Sequence, residues 1–184
     1  MPDEKLWATF FSPVHILEQL GVDQNVRTLI DIGCGYGTFL IPAAGLIGGT
    51  AVGIDIDPKM IAACKEKVHT QHVKNVDLLQ GDVSSAQVVE ALDRYKGTVD
   101  YLTLFNILHC EAPLALLRSV SRLLNLHGRV GVIHWINEET PRGPSMDIRP
   151  TPEKVAEWAK EAGLFLEKSV ALPPYHFGLV FKKK

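Results

Sequence analysis

The chain has 184 residues, 46% of them hydrophobic and 22% charged, with a formal net charge of −2. These proportions suit one globular domain spanning 1–184 and leave no obvious room for a second. The balanced charge gives no long-range pull toward nucleic acid or anionic membrane, so neither is expected as a partner.

Taken in chain order, residues 1–25 read as a cap segment before the first strand, carrying the aromatic run Leu6-Trp7-Ala8-Thr9-Phe10-Phe11. Leu29–Ile32 is a short buried strand. A helix is expected over Phe39–Ile47, with Thr38 as its cap. Thr50–Asp55 is a second strand, and Asp57-Pro58 opens a second helix whose Ile61, Cys64 and Val68 fall at helical spacing. Val76–Leu79, Thr98–Phe105 and Arg129–Trp135 read as further strands, with helices at Ser85–Leu92 and Ala112–Leu124 between them. Near-continuous apolar strands joined by helices indicate a parallel sheet covered on both faces. Right-handed crossovers then make a Rossmann-like, doubly wound α/β fold. After a helix at Pro152–Ala162, the strands Leu164–Val170 and His176–Phe181 are too close for a crossover helix and must pair antiparallel. The expectation is seven strands, mostly parallel, with the last reversed.

The three cysteines, Cys34, Cys64 and Cys110, are widely spaced and form no Cys-x-x-Cys. They suggest neither a disulfide framework nor a metal site. The first residues lack a signal-peptide pattern, and no apolar stretch is long enough to span a membrane. A cytoplasmic protein is expected. The oligomeric state is left open, a homodimer being one option.

The chemistry concentrates at strand ends. The first strand runs into Gly33-Cys34-Gly35-Tyr36-Gly37. Glycines there permit positive φ and close approach of a ligand, and the turn and helix start offer N–H groups to an anion. The second strand ends in Asp55, where a carboxylate can accept from both hydroxyls of a ribose. The glycine spacing is G-x-G-x-G, with Thr38 where the dinucleotide fingerprint continues, so a nicotinamide oxidoreductase is the weaker reading.

Four segments in order resemble the class I S-adenosylmethionine-dependent methyltransferases, over about residues 26–181. They are Leu29–Gly37, Val52–Asp57, Gly81-Asp82-Val83 and Val99–Asn106, and Leu123–Val130 is similar to that family's turn into strand five. The resemblance implies S-adenosylmethionine as cofactor. It implies contacts from Asp31, Gly33, Cys34, Gly35, Tyr36 and Gly37, and from Asn106. It further places the ribose on Asp55, and adenine against Ile56, Asp82 and Val83. Asp31 is a candidate counter-charge for the methionine ammonium, and alternatively a strand-end residue tying down the turn. Asp82 is alternatively a cap for the helix at Ser85.

Methyl transfer from a sulfonium is an in-line displacement, and a base is needed only when the nucleophile holds a proton firmly. Catalytic candidates therefore follow strand four: Asn106, to orient, and His109, which titrates near neutrality. A structural histidine with a satisfied ring is the alternative for His109. Substrate-wall candidates are Trp7 and Phe11 in the cap segment, His109, Trp135 just before the proline-rich loop 136–150, and Arg149 near that loop's end. The acceptor is expected to be a small molecule. A non-catalytic cofactor-binding module is the competing reading, told apart by whether a cleft opens beside the methyl position.

Overall fold

A computed structural model describes residues 12–184. Trp7 and Phe11, with the whole of the cap segment's aromatic run, lie outside the described residues.

Seven strands form one sheet in the order β3-β2-β1-β4-β5-β7-β6. They are β1 Thr28–Ile32, β2 Thr50–Asp55, β3 Val76–Gln80, β4 Val99–Phe105, β5 Leu124–Trp135, β6 Leu164–Leu172 and β7 His176–Lys183. Strands β1 to β5 pair in parallel, and β7 runs antiparallel to both β5 and β6. The sheet is therefore Rossmann-like with its last strand reversed, as the strand pattern predicts.

Among the described residues six α-helices cover it: α1 Pro13–Gln19, α2 Leu40–Leu46, α3 Pro58–Thr70, α4 Ala86–Leu92, α5 Pro113–Leu123 and α6 Pro152–Glu161. Alternating strand residues feed two cores. Ile30, Leu102, Leu104, Val130 and Val132 point to the side of α4, α5 and α6. Leu29, Tyr101, Phe105 and Ile133 point to the side of α1, α2 and α3. Two-sided burial is why these strands read as unbroken apolar runs. The fully buried Tyr101 donates its hydroxyl to the carbonyl of Leu20 at 2.7 Å, which satisfies the phenol and ties the end of α1 to β4. Among the described residues, no helix is long and apolar enough to cross a membrane.

The differences from the sequence reading are local. α2 starts at Leu40, with Phe39 at the cap position and no side-chain cap bond, so Thr38 does not cap it. Asp57 and Ser85 do cap, accepting from the N–H groups of Lys59 and Val88. β5 begins at Leu124 rather than Arg129. Leu124 pairs with Val99 directly after α5, and the register slips before Arg129 resumes against Tyr101. β6 runs on to Leu172, which shortens the expected turn into β7.

Candidate functional site

The sheet order reverses between β1 and β4, and a cavity of about 930 Å³ opens there at the carboxyl ends of the strands. This is where an open α/β sheet binds ligands, and the volume suits a small ligand with room to spare. One end is walled by the turn after β1, by Asp55 and Ile56 after β2, and by Asp82 and Val83 after β3. The other end is walled by Asn106, Ile107 and His109–Ala112 after β4, by one face of α5, and by Trp135, Gly143 and Pro144.

The turn after β1 is held from within. The N–H groups of Gly33 and Cys34 both donate to the carbonyl of Ile54, at 2.8 and 3.0 Å. Gly35 N–H donates to Asp55 Oδ2 at 2.8 Å, and Gly37 N–H to the carbonyl of Cys34 at 2.9 Å. The expected supply of these amides to a ligand carboxylate is therefore corrected: four of them are spent on the turn's own shape. Gly33, Gly35 and Gly37 all have positive φ, of 76°, 53° and 79°. Gly37 does not line the cavity. A Cβ there would lie 2.7 Å from the Cys64 sulfur, so this glycine serves the packing of the turn on α3 and not the ligand directly. Gly33, Cys34, Gly35 and Tyr36 do line it. The Tyr36 carbonyl accepts from Lys67 Nζ of α3 at 3.1 Å.

Cys34 and Cys64, far apart in sequence, meet beneath the turn. The hydrogen bond to Cys64, reinforced by burial, drives the Cys34 thiol well above its ordinary range, so it stays protonated and unreactive. All three cysteines are free.

Asp55 accepts from two backbone amides, Gly35 through Oδ2 and Asp57 through Oδ1, at 2.8 and 2.9 Å. A carboxylate offers about four acceptor positions, so positions remain for hydroxyls in the cavity. Asp31 is 3% exposed and accepts from Thr103 Oγ1 at 2.6 Å. Burial pushes its carboxyl up to about 6, and the nearby Asp55 charge adds to the shift while the Thr103 bond opposes it. Asp82 sits on the rim, where its Oδ1 accepts from the N–H and hydroxyl of Ser84 at 2.8 and 2.7 Å. Those bonds hold the carboxyl below its ordinary value. Asp82 thus shapes the turn into α4, while the cap itself is Ser85.

Three observations fit S-adenosylmethionine in this space. Asn106 Oδ1 is buried at the cavity wall with no hydrogen-bond partner, an acceptor waiting for a donor such as an ammonium. Its backbone has a φ of 56°, a conformation asparagine tolerates better than most residues. Asp31, raised toward neutrality by burial, would regain its charge beside a cation. Ile56, 64% exposed on the cavity wall, leaves an apolar surface for a flat ring.

At the acceptor end, Phe39 and Phe105 pack edge to face with centroids 4.7 Å apart. His109 is half-buried on the wall, Trp135 is buried and lines it, and Arg149 is not in it. Arg149 is 7% exposed, and its guanidinium donates to the carbonyls of Pro144, Ile136, Glu138 and Arg142 at 2.8 to 3.2 Å. It also lies over the Trp135 ring, 5.5 Å from the centroid. The expected place of Arg149 in the substrate wall is corrected: its charge frames loop 136–150 from inside. Replacing Arg149 by Met keeps an apolar stem over Trp135 and frees the carbonyls. Limited proteolysis within 136–150 should then speed up about tenfold, equivalent to ~1.4 kcal/mol of easier local opening. Unchanged cleavage would show that other contacts hold the loop.

Sequence reasoning places the segment 134–150 in the substrate wall and gives His134, Gly143 and Pro144 no individual task within it. Gly143 has a φ of 113°, and a Cβ there would meet Trp135 and Arg149 at 2.9 Å. The glycine lets the loop fold onto the indole and complete the wall.

Comparison with known proteins agrees with this geometry. The methyltransferase domain family matches residues 29–128, more than half of the chain. The ribosomal protein L11 methyltransferase of Clostridium botulinum is 34% identical over 114 residues, covering 60% of this chain and 33% of that protein. The protein of the same name from Salmonella arizonae is 38% identical over 76 residues, covering 39% of this chain and 26% of that one. The chain thus spans about a third or less of the length of these curated relatives. A crystal structure of a SAM dependent methyltransferase from Aquifex aeolicus has the same fold, with a TM-score of 0.87, 24% identity, and 99% and 95% of the two chains covered. With the glycine turn, Asp55 and the reversed β7 in one sheet, the chain belongs to the methyltransferase domain family and has the class I methyltransferase fold.

Proposed function

We propose that this chain transfers a methyl group from S-adenosylmethionine to a small, largely apolar acceptor that carries no negative charge. The observation supporting this is a single continuous cavity. It runs from the glycine turn past Asn106 to His109, α5 and Trp135, so the space beside the methyl position is open rather than filled. An open space of that kind favours an enzyme over a cofactor-binding module. The sulfonium supplies an electrophilic methyl group whose leaving group is a neutral thioether.

The chain's residues have separable tasks in this reading. Asp55 takes the ribose and Asn106 Oδ1 the ammonium, while Ile56 and Val83 cover the adenine. Phe39, Phe105 and Trp135 surround the acceptor and exclude water, which favours an aligned attack. No lysine or arginine is among the described residues lining the cavity, and Arg149 is committed to loop carbonyls. An anionic acceptor would find no lysine or arginine as counter-charge among those described residues. The shape of the cavity supports a metabolite as the acceptor. The free thiols of Cys34, Cys64 and Cys110 suit the cytoplasm.

The test is a screen of metabolite and protein fractions with a labelled methyl donor, beside calorimetric titration with S-adenosylmethionine and NAD. Label should enter a small neutral molecule, and only S-adenosylmethionine should bind. Label confined to protein fractions would overturn the acceptor class. Donor binding without transfer in any fraction would return the chain to the binding-module reading.

A further inference from the structure

Two histidines stand one behind the other at the acceptor end. His109 lines the cavity, and His134, on β5, is fully buried behind it. Their rings meet edge to face with centroids 5.5 Å apart, and His109 Nδ1 lies 3.3 Å from His134 Nε2. One proton fits between two ring nitrogens, so one ring donates and the other accepts.

A third contact decides which. His134 Nδ1 lies 3.4 Å from the carbonyl oxygen of Trp135, and a carbonyl can only accept. His134 therefore carries hydrogen on Nδ1. The groups around it are His109, His176, Arg149 and the ring of Phe177. Burial first, then repulsion from His109 and Arg149, holds its pKa down to about 4, so the ring is neutral with one hydrogen only. Its Nε2 is then a bare lone pair, and the shared proton belongs to His109 Nδ1. His109 is itself kept toward the neutral form by burial. A neutral ring with hydrogen on Nδ1 has a bare Nε2. No hydrogen bond occupies that nitrogen among the described residues, and it is not among the buried atoms lacking a partner, so it is open at the cavity.

We infer that His134 is a positioning residue that fixes His109 with its proton on Nδ1, leaving His109 Nε2 to take a proton from the acceptor. This rests on the methyl-transfer reading and narrows it. The acceptor carries an O–H, N–H or S–H that must be lost during transfer. Its proton passes to the lone pair of His109 Nε2, and the electron pair left on the acceptor atom forms the bond to the methyl carbon. The imidazolium then returns its proton to water. While it exists, its charge is stabilised by the Nδ1–H bond to His134, which remains a neutral acceptor throughout. Free histidine in water prefers the opposite tautomer, so the arrangement is a property the fold imposes.

Long-range nitrogen–proton NMR on the full-length protein without cofactor reads the tautomer directly. His109 should show a protonated Nδ1 and an unprotonated Nε2, and His134 the same. In His134→Phe, His109 should revert, its Nε2 signal moving from the unprotonated to the protonated range. A purely packing role for His134 would not move that signal. Wild-type His109 protonated on Nε2 overturns the inference even when the variant fails to fold. The labelled-donor screen gives an independent check. A product methylated at an atom with no proton to lose, such as a tertiary amine or thioether, would overturn the base role. Failure of S-adenosylmethionine to bind would instead overturn the underlying methyl-transfer reading. The two failures are distinct because the tautomer is read without cofactor.

Discussion

Asp31→Asn should make the cofactor-free protein more stable at pH 7.5 and a poorer binder of S-adenosylmethionine. Burial raises the Asp31 carboxyl from 3.8 to about 6, so the folded protein holds this proton more tightly than the unfolded chain does. The sign follows from linkage. Between about pH 4 and pH 6 the unfolded chain ionises first, and stability falls as pH rises through that window. The loss reaches about 3 kcal/mol above pH 6. Asn carries no charge to bury, and its amide oxygen can still accept from Thr103. The variant should therefore gain up to about 3 kcal/mol at pH 7.5, or several degrees in Tm, and almost nothing at pH 4. Thermal melts at both pH values with matched titrations of the cofactor would check it. The same substitution removes the charge facing the ammonium, so affinity should fall by about 1.5–3 kcal/mol, the scale for hydrogen bonds to charged groups. A variant less stable at pH 7.5, or one with unchanged affinity, would show that Asp31 only ties down the turn. A buried carboxylate that costs stability where it would serve a ligand is a common trade between stability and activity.

Asp55→Ala should weaken S-adenosylmethionine binding by about 1–3 kcal/mol, roughly five- to more than a hundredfold in Kd. Two losses combine. The ribose hydroxyls lose their acceptor, and the Gly35 and Asp57 N–H groups lose theirs. The second loss loosens the turn itself, so Asp55→Asn is the informative partner. The amide oxygen can keep one backbone bond while halving the acceptor capacity, and affinity should fall between wild type and alanine. Calorimetry at constant salt would measure all three. Equal affinities across the series would mean the ribose lies elsewhere.

The sheet was legible because its strands are buried on both faces. Ile30 and Leu29 feed opposite cores, and no polar alternation interrupts the run. The cofactor end was legible too, because glycine and aspartate at strand ends are rare enough to stand out. What could not be read was direction. Gly37 belongs to the glycine pattern but faces Cys64, and nothing in its spacing from Gly35 says so. Arg149 looks like an anion site until four carbonyls are seen around it. Cys34 and Cys64 become neighbours only when α3 packs under the turn. His134 sits in a strand that reads as uniformly buried. Its partner His109 lies in an irregular segment after β4, and pairing across a parallel sheet carries no local signal.

The frame that Arg149 builds around loop 136–150 has a consequence for how this site could change over time. The loop takes its course from main-chain carbonyls gripped by one side chain, so that course depends little on which side chains the loop displays outside Gly143. Pro144 meets the cavity from within this frame, and a different residue there would redraw the acceptor chamber while the backbone stayed in place. Substrate preference can drift at that position without a passage through an unfolded intermediate sequence, and it is the first position to vary in a directed-evolution library.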